Sequence, residues 1–239
     1  LQEIVVPDSI TTLNNYFFRG CSSLLSVSLP EGLTKLGEGC FQYCTALQSI
    51  TLPDSLTTIQ DRCFWDCKAL NEIHVGSNIT FVGDRAFKNS GHYHNADNWE
   101  GAALYLDDLC IEGKVDVEKT IRIKEGTRLI ADSAFTSNGE VSIIETVILP
   151  DSVLQICGNA FSGNRNLRVM RMSANVQTIG SQALSSNSGL RSIHIPGSVR
   201  NADNFLGNPA GDAYPELRYV LIEDGACLEG ICFRGSPNM

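Results

Sequence analysis

Two short stretches carry the residue types of a metal site. CFQYC (Cys40 to Cys44) returns as CFWDC (Cys63 to Cys67), giving C-x3-C-x18-C-x3-C. That spacing is close to the one at which four thiolates hold a tetrahedral zinc ion. The same side chains could instead form disulfides or remain thiols. A second cluster sits in NSGHYHNADNWEG, where His92, His94, Asp97 and Glu100 offer imidazole and carboxylate ligands. Such a group could serve a metal-dependent hydrolase. Its plain alternative is a polar surface loop, with solvated imidazoles and Trp99 packed against the body of the protein. The sequence contains no G-x-S-x-G, P-loop, H-E-x-x-H or G-x-G-x-x-G. His74, His92, His94 and His194 compose no triad that spacing alone reveals.

The elements that carry these residues are repeats. LQEIVVPDSITTL begins at Leu1, LLSVSLPEGLTKL at Leu24, LQSITLPDSLTTI at Leu47 and LNEIHVGSNITFV at Leu70, a step of 23 residues each time. After an interruption over 91–117 the pattern resumes at Glu118, Ile144, Leu167, Leu190 and Leu217, making nine units of which the last two are degenerate. Position four of each unit is apolar: Ile4, Val27, Ile50, Ile73, Ile121, Val147, Met170, Ile193 and Val220. Position six is apolar too, and alternation with position five predicts a short strand with one face buried. Pro7, Pro30, Pro53, Pro150 and Pro196 then end the strand. Apolar residues follow at positions ten and thirteen, and Phe18, Phe41, Phe64, Phe87, Phe135 and Phe161 share position eighteen. One such coil buries too few side chains to offset the entropy of ordering its backbone, so coils must stack into a solenoid.

The columns decide how the cysteines are read. Cys21, Cys44 and Cys67 occupy position twenty-one, held later by Ser90, Asn138, Asn164 and Asn187. Cys and Asn are both able to donate to a backbone carbonyl at a turn, Cys more weakly. Cys40 and Cys63 occupy position seventeen, elsewhere Ala86, Ala134, Ala160 and Ala183, a slot for a small buried residue. A zinc ligand would not be exchanged for Ala or Asn along its own column. Stacked cysteines on neighbouring coils point in parallel rather than toward each other, which favours free thiols over disulfides. The odd total of nine cysteines points the same way. No metal and no cofactor is assigned, and no enzyme is expected.

L-x-x-I-x-L-P, then a turn, then I-G-x-x-A-F resembles the BspA-like family of leucine-rich repeat proteins, over nearly the whole chain. LYLDDLCIEG (Leu104 to Gly113) resembles a hairpin insertion of that class. The resemblance implies one right-handed leucine-rich repeat solenoid over 1–239, interrupted by the 91–117 insertion. It implies a parallel sheet on the concave side and short turns or helical pieces on the convex side. It also implies bacterial or protist surface proteins, several regarded as adhesins for host proteins, and hence a cell-surface or secreted location.

Composition bounds the rest. With 239 residues, 43% hydrophobic and 19% charged, the chain is globular. A net charge of −9 argues against nucleic-acid binding, which rests on a basic surface. No apolar run is long enough to cross a bilayer as a helix, and no charged-then-apolar leader is visible. The chain opens directly on a repeat, so a capping segment is expected ahead of it.

Against this acidic background, the outward positions two, three and five stand out. In the last five units they hold six basic residues in fifteen places and one acid, Glu145. Lys119, Arg168, Arg191 and Arg218 occupy position two, and Arg122 and Arg171 position five, with His194 and Tyr219 beside them. Like charges on adjacent strands repel by roughly 0.8 kcal/mol per pair even in water. A basic strip on the concave face would bind an anionic macromolecule, either an acidic glycan or an acidic protein segment, through the planar guanidinium forks. The competing expectation is that these side chains splay into water or meet Glu145, Glu216 and Glu223. The leading function is a non-catalytic recognition or adhesion module; the alternative is a structural spacer with no ligand of its own.

Overall fold

The structure, a computed structural model, describes residues 1–202, 204–207 and 214–228. Two compact units emerge, Leu1–Trp99 with Leu104–Asp107, and Glu100–Ala103 with Asp108–Met239. Each is a β-solenoid built on the predicted repeat.

In the first unit, strands Glu3–Val5 and Ser26–Ser28 pair in parallel, as do Ser49–Thr51 and Glu72–His74. Their register sets Ile4 opposite Val27 and Ile50 opposite Ile73. In the second unit, Thr120–Arg122, Thr146–Ile148, Val169–Arg171, Ser192–Ile195 and Tyr219–Ile222 form one five-stranded parallel sheet. Here Ile121, Val147, Met170, Ile193 and Val220 align rung by rung, as the position-four column requires.

Each of the first eight coils carries a second strand that the apolar columns had marked only as inward-pointing residues. Thr12–Leu13, Lys35–Leu36, Thr58–Ile59 and Phe81–Val82 make a four-stranded parallel sheet in the first unit. In the second unit, Leu109–Gly113, Leu129–Ile130, Gln155–Ile156, Thr178–Ile179 and Asn201–Ala202 pair successively in parallel. Two residues suffice because the chain needs only one rung per coil there before turning.

The third wall is a turn that bonds like a strand. Residues at positions sixteen, eighteen and twenty donate their amides to the following coil. Tyr16 reaches Glu38 O at 2.7 Å, Phe18 reaches Cys40 O at 2.8 Å and Gly20 reaches Gln42 O at 2.7 Å. The pattern repeats with Phe41 to Cys63 O at 2.9 Å, Phe64 to Ala86 O at 2.7 Å and Phe135 to Ala160 O at 2.7 Å. Left-handed residues at sixteen and twenty bend the wall while keeping the amides parallel: Arg62 at φ 54°, Asp66 at φ 59°, Gln182 at φ 58° and Ser186 at φ 57°. The convex element is therefore a turn, and the described helical pieces, Gly91–His94 and Ala96–Asn98, belong to the insertion.

Inside the wall, the position-eighteen rings stack. Phe18, Phe41, Phe64 and Phe87 follow at centroid distances of 5.2, 5.3 and 5.2 Å, nearly parallel. In the second unit Phe135 and Phe161 stack at 5.3 Å. Gly113 lies against Phe135, where an added Cβ would stand 2.1 Å from the ring, so only glycine leaves room for it.

The position-twenty-one column behaves as its chemistry predicts. The Cys44 and Cys67 thiols donate to Phe18 O at 3.1 Å and Phe41 O at 3.0 Å. Asn164 donates to Phe135 O at 2.9 Å and Phe161 O at 2.8 Å, and Asn187 to Phe161 O at 3.1 Å. Ser90 instead accepts from Tyr93 N and starts the short helix. Asn138 departs from the column, exposed and left-handed at φ 44°. Because the Asn164 amide satisfies two buried carbonyls, Asn164→Ala should lower the unfolding free energy in urea by about 2–4 kcal/mol. Asn164→Cys, able to keep one bond, should lose about half as much; equal losses would show that the column's bonding contributes nothing.

Candidate functional site

The five-stranded sheet positions the basic residues. Backbone bonds link position two from coil to coil: Glu145 N to Lys119 O at 2.8 Å, Arg168 N to Glu145 O at 2.9 Å, Arg191 N to Arg168 O at 2.9 Å and Arg218 N to Arg191 O at 3.0 Å. The order along the edge is thus Lys119, Glu145, Arg168, Arg191, Arg218, each residue one place ahead of its strand. At position five the order is Arg122, Ile148, Arg171, His194, Leu221. Ile148 separates Arg122 from Arg171, so the strip is not continuous.

Acids divide it further. Lys119 Nζ lies 2.9 Å from Glu145 Oε1, and Arg218 lies 4.0 Å from Glu216. His194 Nε2 meets Glu223 Oε1 at 2.8 Å, while Gly197 N donates to Glu223 Oε2 at 2.9 Å. These pairings are the ones expected if the side chains answer local acids. Arg122, Arg168, Arg171 and Arg191 are different: exposed, and with no side-chain hydrogen bond or ion pair among the described residues. Arg168 and Arg171 flank the ends of one strand and Arg191 lies on the next rung, so the three occupy neighbouring backbone positions. Tyr219, 59% exposed, occupies the rung after Arg191.

The charge pattern leaves a titration signature. The hydrogen bond and charge of Lys119 hold the Glu145 carboxyl below its ordinary range, and Arg168 adds to the effect. Glu223 is held down by the Gly197 amide first and His194 second. For both acids the folded form favours the charged state, so this contribution is present above the unfolded pKa and fades as pH falls through the folded one. Lys119→Met should raise the Glu145 midpoint in a side-chain carbonyl NMR titration; an unmoved midpoint would mean the ion pair does not form in solution.

The cysteine motif is a pair of packing columns. Cys40, Cys44, Cys63 and Cys67 are fully buried, and the eight described cysteines are free. Burial pushes the Cys40 and Cys44 thiols up to about 12, and raises Cys63, Cys67 and Cys110 as well. Among the described residues no three His, Cys, Asp or Glu side chains group as a metal site.

The repeat register, the paired strands and these columns agree with one family. The model of the BspA type leucine rich repeat region matches residues 1–100 and 115–206, in six copies. The chain belongs to the BspA-type leucine-rich repeat family. Among solved structures it is similar to a leucine rich cell surface protein from Faecalibacterium prausnitzii, at 18% identity over 92% of this chain and 72% of that one, TM-score 0.47. A leucine-rich repeat protein from Bacteroides ovatus matches at 22% identity over 100% of this chain and 59% of that one, TM-score 0.42. The pneumococcal vaccine antigen PcpA matches at 18% identity over 94% and 62%, TM-score 0.47. The chain therefore spans less than two thirds of the length of the last two. No curated protein matches it.

Two features of this BspA-type chain differ from the sequence expectation. The His92 imidazole is not solvated but buried, with Nε2 donating to Tyr105 O at 2.7 Å and Nδ1 accepting from Asn98 at 3.0 Å. Both nitrogens are occupied by neutral partners, so the ring is a structural tie within the insertion; His94 remains exposed. Trp99 donates to Tyr93 O at 2.9 Å and packs edge-on against the Tyr93 ring at 5.5 Å. Sequence reasoning also missed a cleft of about 620 Å³ in the second unit, lined by residues between Thr136 and Ser186. Its one legible signal was the fifth repeat's length of 26 residues against the usual 23.

Thiol accessibility checks the column assignment. With iodoacetamide at pH 8, the exposed Cys227 should be alkylated in the native protein, while Cys40, Cys44, Cys63 and Cys67 react only after denaturant is added. Native-state alkylation of those four would overturn their placement in the core.

Proposed function

We propose that this BspA-type chain is a non-catalytic recognition module of the cell surface, which binds an anionic macromolecule through the strand face of its second unit. The observation that supports the reading most is the group of Arg168, Arg171 and Arg191, three exposed guanidiniums with no side-chain hydrogen bond or ion pair among the described residues, in a protein of net charge −9. Each fork can take a carboxylate or sulfate oxygen pair. Their spacing, one rung apart across the sheet and three residues apart along the chain, suits an extended ligand that meets several guanidiniums at once. Arg122 extends the surface on one side, and Tyr219 supplies an exposed ring on the other. Lys119, Arg218 and His194 contribute less, since each already answers an acid. Membership of the BspA-type family supports a surface location.

The three ion pairs favour the second reading, a spacer whose surface charges are satisfied internally. Binding to an array of acidic glycans and acidic host-protein segments separates the two. The recognition reading expects a retained ligand whose affinity falls with salt and drops at least tenfold in the Arg168→Glu, Arg191→Glu double variant. Retention of nothing above background, or binding indifferent to both salt and the double variant, would leave the spacer.

A further inference from the structure

The fifth coil is longer than its neighbours, and the extra chain builds a cleft. Thr120 and Thr146 are register partners 26 residues apart, whereas Thr146 and Val169 are 23 apart. The surplus is accommodated on the turn wall, where Asn138 at φ 44° and Gly139 at φ 88° throw out a loop. Glu140 N closes it on Ser137 O at 2.7 Å. The loop faces residues of the next two coils, among them Ser162, Arg165, Asn166 and Ser186, across a half-open space of about 620 Å³. That volume falls within the usual 300–1,000 Å³ of small-molecule sites.

The cleft's frame is fixed and its functional ends are not engaged. Ser137 Oγ donates to Gly163 O at 3.0 Å, and Asn166 Nδ2 donates to Ser142 O at 2.7 Å, so side chains tie the loop to the following coil. The Ser162 hydroxyl is likewise bonded to Ser185 at 2.7 Å. By contrast, the Glu140 carboxylate, the Arg165 guanidinium and the Asn138 amide make no hydrogen bond or ion pair among the described residues. Glu140 and Arg165 have opposite charge and line the same space, yet they do not pair. Each must otherwise be satisfied by water or by a ligand.

The lining chemistry narrows the ligand. There is no aromatic side chain, and Val141 is the one large apolar residue, so an apolar or planar ligand gains little. A polyanion would meet Glu140 as well as Arg165. What remains is a carboxylate that only accepts, a guanidinium that only donates, and amides and hydroxyls that do both. A neutral ligand dense in hydroxyls matches this set, because each hydroxyl donates once and accepts elsewhere, and neighbouring hydroxyls can bridge the two oxygens of one carboxylate. We propose that this cleft of the second unit is a binding site for a neutral saccharide, held by Glu140, Arg165 and Asn138 and separate from the arginine surface on the strands.

Ligand-observed saturation-transfer NMR on the intact chain tests it, with a panel of galactose, N-acetylglucosamine, lactose, N-acetyllactosamine, cellobiose and maltose. The expected result is transfer to at least one member. Affinity for that sugar should weaken at least tenfold in both Arg165→Ala and Glu140→Gln, and stay unchanged in the Arg168→Glu, Arg191→Glu double variant. Both cleft residues are exposed, and unchanged circular dichroism and melting temperature would show that the variants fold. Three results overturn the proposal: no transfer from any panel member, transfer that survives both cleft variants, or transfer lost only in the double variant. The last would place the sugar on the strand face instead.

Discussion

The hydrogen bond from an amide in one coil to a carbonyl in the next is the interaction on which the rest of the structure depends. A single coil has no internal ladder, and its two- and three-residue strands would bury few side chains alone. Stacking supplies the partners on all three walls: the first strands, the short second strands, and the turn in which Phe18, Phe41 and Phe64 donate to the following coil. Because bonding is parallel, each residue type is set beside its counterpart one repeat later. Identical side chains therefore form files, and what suits one member must suit its neighbours.

That constraint explains both the interior and the surface. Within the core it selects groups that tolerate a copy of themselves nearby: flat phenylalanine rings stacked in offset, and thiols or amides that each serve a carbonyl of the preceding coil. Burial that raises the thiol pKa is harmless here, since the protonated form is the one that donates. On the surface the same alignment works against like charges. Lys119 avoids the conflict because Glu145 stands between it and Arg168, while Arg218 and His194 turn to Glu216 and Glu223. Arg171 and Arg191 have no such ion pair, and Arg168 feels Glu145 only at longer range, which is why these three rather than the whole basic column are the surface to test.

Much of the fold was legible because its signal is repeated. A single apolar Ile says little, but Ile121, Val147, Met170, Ile193 and Val220 in one column define a register that the sheet reproduces rung for rung. The same comparison separated Cys40 from Cys44 as members of different columns and so dissolved the apparent zinc motif. The second strands were less legible, since two residues are too few to display a period. The bonded turn wall was hidden for another reason: its left-handed positions hold Tyr16, Arg62, Ser133 and Gln182 as well as Gly39, so no residue type marks them.

The amino-acid sequence by itself determined the period, the inward columns and the rung on which each outward residue stands, because those follow from a stacking geometry that repeats. Tertiary structure alone decided which charges are answered. Glu216 stands two residues from the Arg218 it meets, but Glu223 comes from the next coil to reach His194. It also decided the fate of His92, whose two neutral partners come from Asn98 and the backbone of Tyr105. The cleft beside Arg165 belongs to the same class. Two coils must be assembled before Glu140 and Arg165 share one space, a third adds Ser186, and no single repeat contains it.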